Sequence, residues 1–265
     1  ISKQDLWDVF NLETNLFPCL VDMKFKGVRV DIDKAEATKA QLVDAEKEMH
    51  RDIQKLAGFD VEIWAAASIA KAFDIVKLPY DRTEKGAPSF TKNFLATHPH
   101  ELPKLINQAR EINKANTTFI DTILKHNHKG RIHSDINQIR SDDGGTVTGR
   151  FSYSNPNLQQ IPARHKELGP LIRSLFIPEE GHKWGCFDYS QQEPRIVVHF
   201  ASLLKLEGTQ TIVDGYNAGD ADFHQMIADM AGIERKQAKT INLGLMYGMG
   251  KMKLMAELGL LQEAA

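Results

Sequence analysis

At Gly130 the periodicity of the chain changes, and that change restricts the folds open to it. Before it, residues 34–56 repeat at helical spacing with charges gathered on one face, and 65–76 ("AAASIAKAFDIV") read as a second helix. A third spans 101–126 and ends in "KHNHKG". After it, "RIHSDINQIR" alternates as a strand does, "SDDGGTVTGR" is dense in turn residues, and "NPNLQQIP" is irregular. "HKWGCFDY" reads as a short apolar strand ending at Asp188. Helical patterns then return through "RIVVHFASLL" and, most clearly, from Glu234 to Tyr247. A helical stretch, a strand-containing stretch to about residue 200 and a helical remainder together imply an α+β chain.

Smaller signals fit that frame. Gly27 breaks the apolar clusters of 11–28, Val28 and Val30 favour a strand, and Asp33 is placed to cap the helix that follows. "DRTEKGAPSF" (81–90) reads as a polar loop.

With 265 residues the chain can form one large domain or two ordinary ones, and 42% hydrophobic with 26% charged residues is ordinary globular composition. A net charge of −2 excludes a uniformly basic surface, so an anion site has to be a local patch. Cys19 and Cys186 each sit beside apolar residues and read as reduced, buried thiols in a reducing compartment. No apolar run approaches the roughly 18 residues of a membrane span. The opening "ISKQDLWDVF" has neither part of a signal peptide and no initiator Met, which reads as excision from something longer. Without secretion, the sequon at Asn116 is a chance match.

Four constellations could carry chemistry. Arg235, Lys239, Leu243 and Tyr247 recur every fourth residue, so a helix puts them in one row about 6 Å apart. The cations could grip adjacent phosphates, and Leu243 and Tyr247 could offer a flat surface to a base or sugar. Ala238, Ile241 and Leu245 would form the core stripe behind them. The plainer alternative is an amphipathic helix with solvated cations.

In "FDYSQQEPR" (187–195), Asp188 at a strand end suits a metal-binding carboxylate, whereas Ser190 and Glu193 have the spacing of a capping box. Pro194 fits the first turn of a helix that starts late. His224 precedes the cationic helix and could equally be a satisfied core or surface histidine. Arg110, Lys114 and Thr117 or Thr118 share a helical face suited to phosphates or to solvent. The other histidines lack Cys partners, which disfavours zinc. "GMGK" (248–251) is not a phosphate-binding loop: its first glycine would fall at Leu245, Met252 follows Lys251, and a helix rather than a strand precedes it.

Together and in this order the motifs resemble the family A DNA polymerases. "DYSQQEPR" is similar to that family's first palm motif, usually Asp-Tyr-Ser-Gln-Ile-Glu-Leu-Arg, and "RKQAKTINLGLMYG" to its fingers-helix motif. "TGRFSYSNPNLQQIPAR" (148–164) resembles the segment before the palm motif, and "GVRVD" and "KGAPS" resemble thumb landmarks. The resemblance implies a right-hand fold with a helical thumb, an antiparallel palm sheet and helical fingers, the last two incomplete. Residues 1–12 would be a linker, 13–130 the thumb, 131–200 the first part of the palm and 201–265 the first part of the fingers.

By resemblance, Asp188 and the backbone carbonyl of Tyr189 would bind Mg²⁺, two ions serving the complete enzyme. Glu193 would exclude a ribose 2′-hydroxyl. His224, Arg235 and Lys239 would clamp the dNTP triphosphate, with Lys239 donating a proton to pyrophosphate. Tyr247 would sit under the nascent pair, with Leu243 on the same nucleotide-binding row. Arg150 and Gln159 would lie near the primer end, and Arg110 and Lys114 on duplex phosphates. Primer-template DNA and dNTP are the implied partners, in the cytoplasm of a bacterium or a phage-infected cell, with no membrane.

Three departures stand out. Gln192 and Pro194 replace residues usually apolar, which bears on the turn around Glu193. Leu243 replaces an aromatic residue, which implies poor acceptance of dideoxynucleotides. The His-Asp-Glu motif that supplies the second metal-binding aspartate does not occur, so these 265 residues alone are expected to be catalytically dead or nearly so. A second polypeptide, a further tail or a gene fragment would account for that. The alternative function is a noncatalytic nucleic-acid-binding remnant.

Overall fold

The computed structural model describes residues 2–141, 144–163, 165–219 and 221–258. They divide into two compact units, one reaching Trp184 and one starting at Gly185. The first is organised by one long helix. Helix α1 (Trp7–Lys26) ends at Gly27, whose φ of 63° suits a residue without Cβ; Ile132 O and the His133 ring would meet a Cβ there at 2.7 Å. Strand β1 (Val28–Arg29) follows, then α2 (Ile32–Ala57). Asp31, not Asp33, caps α2: its carboxylate accepts the Lys34 N–H at 3.0 Å, and Asp33 falls in the first turn. At 26 residues α2 is about 39 Å long. It serves two cores, contributing Ile53 and Ala57 to one and Ala35 and Leu42 to the other.

The first core centres on Phe73 of α3 (Ala66–Ile75), fully buried with Leu95 of α4 (Lys92–Thr97) and Leu102 and Ile106 of α5 (Glu101–Lys114). Residues 81–90 are not only loop: β2 (Asp81–Arg82) and β3 (Pro88–Ser89) pair antiparallel. Gly86, at φ 81°, makes the turn between them, so the breakers there close a hairpin.

Helix α5 continues through a π-helical turn (Ala115–Ile120) into α6 (Asp121–Lys125), giving the long helix expected over 101–126 with a bulge in it. Gly130 lies in the turn before β4 (Arg131–Ile132), which pairs antiparallel with β1, Val28 opposite Ile132. Strands β5 (Asp135–Asn137) and β6 (Ser152–Ser154) pair likewise, Ile136 opposite Tyr153. Helix α7 (Leu168–Arg173) adds Ile172 to the second core, beside Ile132, Ile120 and Ala35.

The second unit is helical: α8 (Gln192–Leu203), α9 (Thr209–Ala218), α10 (Phe223–Ala231), α11 (Arg235–Met246) and α12 (Lys251–Glu257). Three expectations are corrected here and in α1. The strand expected over 182–188 does not form; the segment pairs with no described strand, and Phe187 is 96% exposed. A strand is held by its neighbour, and apolar content alone does not supply one. Cys186 on this segment is therefore exposed, and so is Cys19, because α1 buries only Leu20. Both thiols are free, but neither is buried. No helix among the described residues is long and apolar enough to cross a membrane.

Candidate nucleotide site

Helix α11 begins after Glu234 and carries Ala238, Ile241 and Asn242 inward, all buried. Leu245, expected in that stripe, is 50% exposed, and Asn242 takes the inward place because it has a polar partner to meet. On the outer face Arg235, Lys239 and Tyr247 are exposed and Leu243 is half-buried, so the four-residue row exists and faces solvent.

Each member of the row is set differently. Arg235 is held by Asp222, its Nε donating to Oδ2 at 2.8 Å within an ion pair of 2.7 Å. Asp222 is also the N-cap of α10, accepting the His224 and Gln225 N–H groups at 3.1 Å. Burial raises the Asp222 carboxyl pKa, but those amides and Arg235 outweigh it and the net shift is downward, so the group is an anion. Lys239 has no ion-pair partner among the described residues and is the cation best placed to meet an added anion. Tyr247, just after α11, donates its hydroxyl to Glu193 Oε1 at 3.0 Å.

His224 stands behind the row. It is 2% exposed, and the Asn242 amide donates to its Nδ1 at 3.2 Å, which leaves the ring proton on Nε2. Burial depresses its pKa first; Lys239 and Arg235 depress it further, against Asp222 and Glu193. One buried imidazole thus senses both cations of the row and both carboxylates beside it.

Glu193 does not close a capping box with Ser190. The N-cap of α8 is Gln191, in the left-handed region at φ 53°, with no side-chain cap. Pro194 is buried in the first turn, where its missing N–H costs nothing. The Gln191 amide is spent elsewhere. Its Oε1 accepts Phe223 N–H at 3.0 Å and Tyr216 O–H at 3.3 Å, and its Nε2 donates to Ala221 O at 3.3 Å. Arg195 lies 4.4 Å from the centre of the Tyr216 ring and donates from Nε to Ser190 O at 2.9 Å. Gln191, Arg195, Tyr216, Asp222 and Asn242 were missed as site residues. Of these, only Asp222, a helix-start aspartate two residues before His224, carried a local sequence signal.

Asp188 and Tyr189 lie on the exposed segment before α8, and Asp188 makes no hydrogen bond or ion pair to a described residue. Contacts and electrostatics therefore link Glu193, His224, Arg235, Lys239 and Tyr247, and Asp188 takes part in none of these links. No group of three or more metal-binding side chains occurs among the described residues. An exposed carboxylate next to a backbone carbonyl is a hard-oxygen pair, which suits Mg²⁺ if water and phosphate oxygens complete the shell.

In the first unit, Lys114 is exposed at the end of α5. Arg110 is turned inward: Nε donates to Ile63 O at 2.6 Å and an outer nitrogen to Phe90 O at 3.0 Å. Gln159 donates to Phe151 O at 3.1 Å, and the exposed Arg150 offers its carbonyl to Thr146 at 2.7 Å.

The model of the DNA polymerase family A matches residues 32–265. A DNA-directed DNA polymerase of Pseudomonas phage M6 is 40% identical over 98% of this chain and 42% of its own length. A thermostable DNA polymerase I of Thermus filiformis is 34% identical over 98% of the chain and 32% of its own. The POL domain of Pol1 from M. smegmatis, solved in complex with DNA primer-template and dNTP, superposes at a TM-score of 0.76 with 23% identity, over 98% of this chain and 47% of that one. The chain spans less than half the length of these relatives.

Proposed function

The chain belongs to DNA polymerase family A, and from that premise we propose that it forms the thumb (13–130), first palm part (131–200) and first fingers part (201–265) of an enzyme for template-directed DNA synthesis. The enzyme adds dNTPs to a primer 3′-hydroxyl. The observation that supports this best is the α11 row facing solvent with Glu193 and His224 at its flank.

Lys239 meets the triphosphate as a point charge and is placed to protonate the departing pyrophosphate. Arg235 adds charge while Asp222 fixes its direction. His224, its proton on Nε2, offers one donor from behind the row. Glu193, restrained by Tyr247, occupies the space of a ribose 2′-hydroxyl and favours deoxynucleotides. Leu243 gives the sugar an apolar wall.

Asp188 and the Tyr189 carbonyl would hold Mg²⁺, which when bound neutralises phosphate charge and activates the primer hydroxyl. The second metal carboxylate would come from sequence matching the remainder of the relatives' length. Lys114 contacts duplex phosphates, with Arg150 and Gln159 nearer the primer end. Arg110 serves that surface through the fold, since two of its donors are engaged. Synthesis would take place in the cytoplasm of a bacterium or a phage-infected cell.

Equilibrium binding of dNTP to the 265-residue chain tests the site. Lys239→Ala is expected to weaken triphosphate binding at least tenfold and leave binding of the unphosphorylated nucleoside unchanged. Equal triphosphate affinity in the two proteins would overturn the assignment. Primer extension by the same polypeptide with Mg²⁺ is expected to be nil or nearly so.

A further inference from the structure

Trp64 is an exposed aromatic side chain held in one orientation by a chain of polar contacts. It lies just before α3 and is 58% exposed. Its Nε1–H donates to Asn113 Oδ1 at 3.1 Å, and the Asn113 amide donates in turn to Glu46 Oε1 at 2.8 Å. The Arg110 guanidinium lies 5.1 Å from the ring centre, over one face, and is itself fixed by the carbonyls of Ile63 and Phe90. The ring's polar edge and one face are thus engaged, and Trp64 packs into neither buried core. With that edge and face engaged the ring is still 58% exposed, and the opposite face is the side these contacts leave open.

We propose that this face is a stacking platform for an unpaired base of single-stranded DNA, a site that rests on the DNA-binding reading above. Three features favour a base. An indole backed by guanidinium is a planar, preorganised surface of the kind on which nucleobases stack. Lys114 follows Asn113 on α5, one turn beyond Arg110 and so about 6 Å further along, and is exposed to take the adjoining phosphate. Between residues 26 and 138, among the described residues, Ile75 at the far end of α3 is the only other large apolar side chain exposed. A protein partner needs a contiguous apolar patch, and within that stretch Trp64 and Ile75 stand at opposite ends of α3.

The probe is a thymidine oligodeoxynucleotide titrated into the 265-residue chain carrying Trp7→Phe and Trp184→Phe, so that Trp64 alone reports. Binding is expected to quench its emission. Trp64→Ala in the otherwise native chain is expected to weaken binding about 5- to 150-fold, the equivalent of about 1–3 kcal/mol per stacked base. Trp64→Phe should recover part of that. Trp64→Ala should leave the slope of log affinity against log salt unchanged, whereas Lys114→Ala should lower it by about 0.7, one phosphate's share on a single strand.

Oligonucleotide binding with unchanged emission, and with equal affinity in Trp64→Ala, would overturn this site and leave the DNA-binding reading standing. A response to blunt duplex alone, or to raised protein concentration without DNA, would also overturn it. Absence of binding to any DNA would remove both readings.

Discussion

Tyr247 donates its hydroxyl to Glu193 at 3.0 Å, joining two residues 54 positions apart in sequence. The bond ties the end of α11 to the first turn of α8. A carboxylate on a helix start has several rotamers open to it. Here one of its oxygens is fixed by a group on the helix that carries both cations.

Tyr247→Phe removes that restraint and keeps the ring. A net hydrogen bond of about 0.5–1.5 kcal/mol corresponds to roughly a 2- to 10-fold effect. If Glu193 excludes a 2′-hydroxyl only when held in place, the preference for dNTP over NTP should fall by that factor, with dNTP affinity itself little changed. Competition of unlabelled dNTP and NTP against a fluorescent dNTP reads both numbers. An unchanged preference would mean that the Tyr247 bond is not what positions Glu193.

Gln191 makes a stability prediction that separates backbone from side chain. Its φ of 53° is unfavourable for a residue with a Cβ, and its amide makes three bonds to the chain around α9 and α10. Gln191→Ala should destabilise the second unit by about 1–3 kcal/mol, the cost of leaving its part-buried partners unpaired. Gln191→Gly should recover about 1 kcal/mol of that, because glycine adopts the left-handed region freely. Urea unfolding of the two variants gives the ordering. Glycine less stable than alanine would show that the αL strain is not real.

The row on α11 was legible because its information is local: four positions at helical spacing, two of them cationic. The long helices were legible for the same reason. Gln191 was not, because its role depends on a left-handed backbone and on Tyr216, Ala221 and Phe223, none of them within 24 residues. The helical face of Arg110 suited phosphates or solvent and only the resemblance implied a phosphate contact; the carbonyls that engage the side chain are 20 and 47 residues away. Residues 182–188 read as a strand from their apolar content, but strand formation depends on a neighbour that content cannot specify.

His224 makes the second unit sensitive to acid. Its folded pKa lies below the ordinary value of 6.5, with burial the leading cause. The unfolded chain therefore takes up a proton that the folded chain resists. Stability is complete above about pH 6.5 and declines as pH falls through the range between the unfolded and folded values. Denaturant unfolding from pH 7.5 to pH 5 should show this decline. His224→Gln keeps an amide toward Asn242 and cannot titrate, so its profile should be flatter over that interval. A wild-type profile identical to the variant's would rule His224 out as the source.

Arg110→Lys tests whether this cation serves the fold or the ligand. The guanidinium meets two carbonyls and covers the Trp64 ring at once, and burial pulls its pKa down, as expected of an inward cation. Lysine keeps the charge but has no planar fork, so it can satisfy one carbonyl and leaves the other exposed to loss. The first unit should lose about 1–3 kcal/mol in urea unfolding. The salt dependence of duplex binding should be unchanged, because no phosphate contact is removed. Lys114→Ala should do the reverse, leaving stability within about 0.5 kcal/mol and lowering the salt slope by about 0.9. If Arg110→Lys left stability untouched and Arg110→Ala lowered the slope as Lys114→Ala does, Arg110 would be a phosphate contact after all.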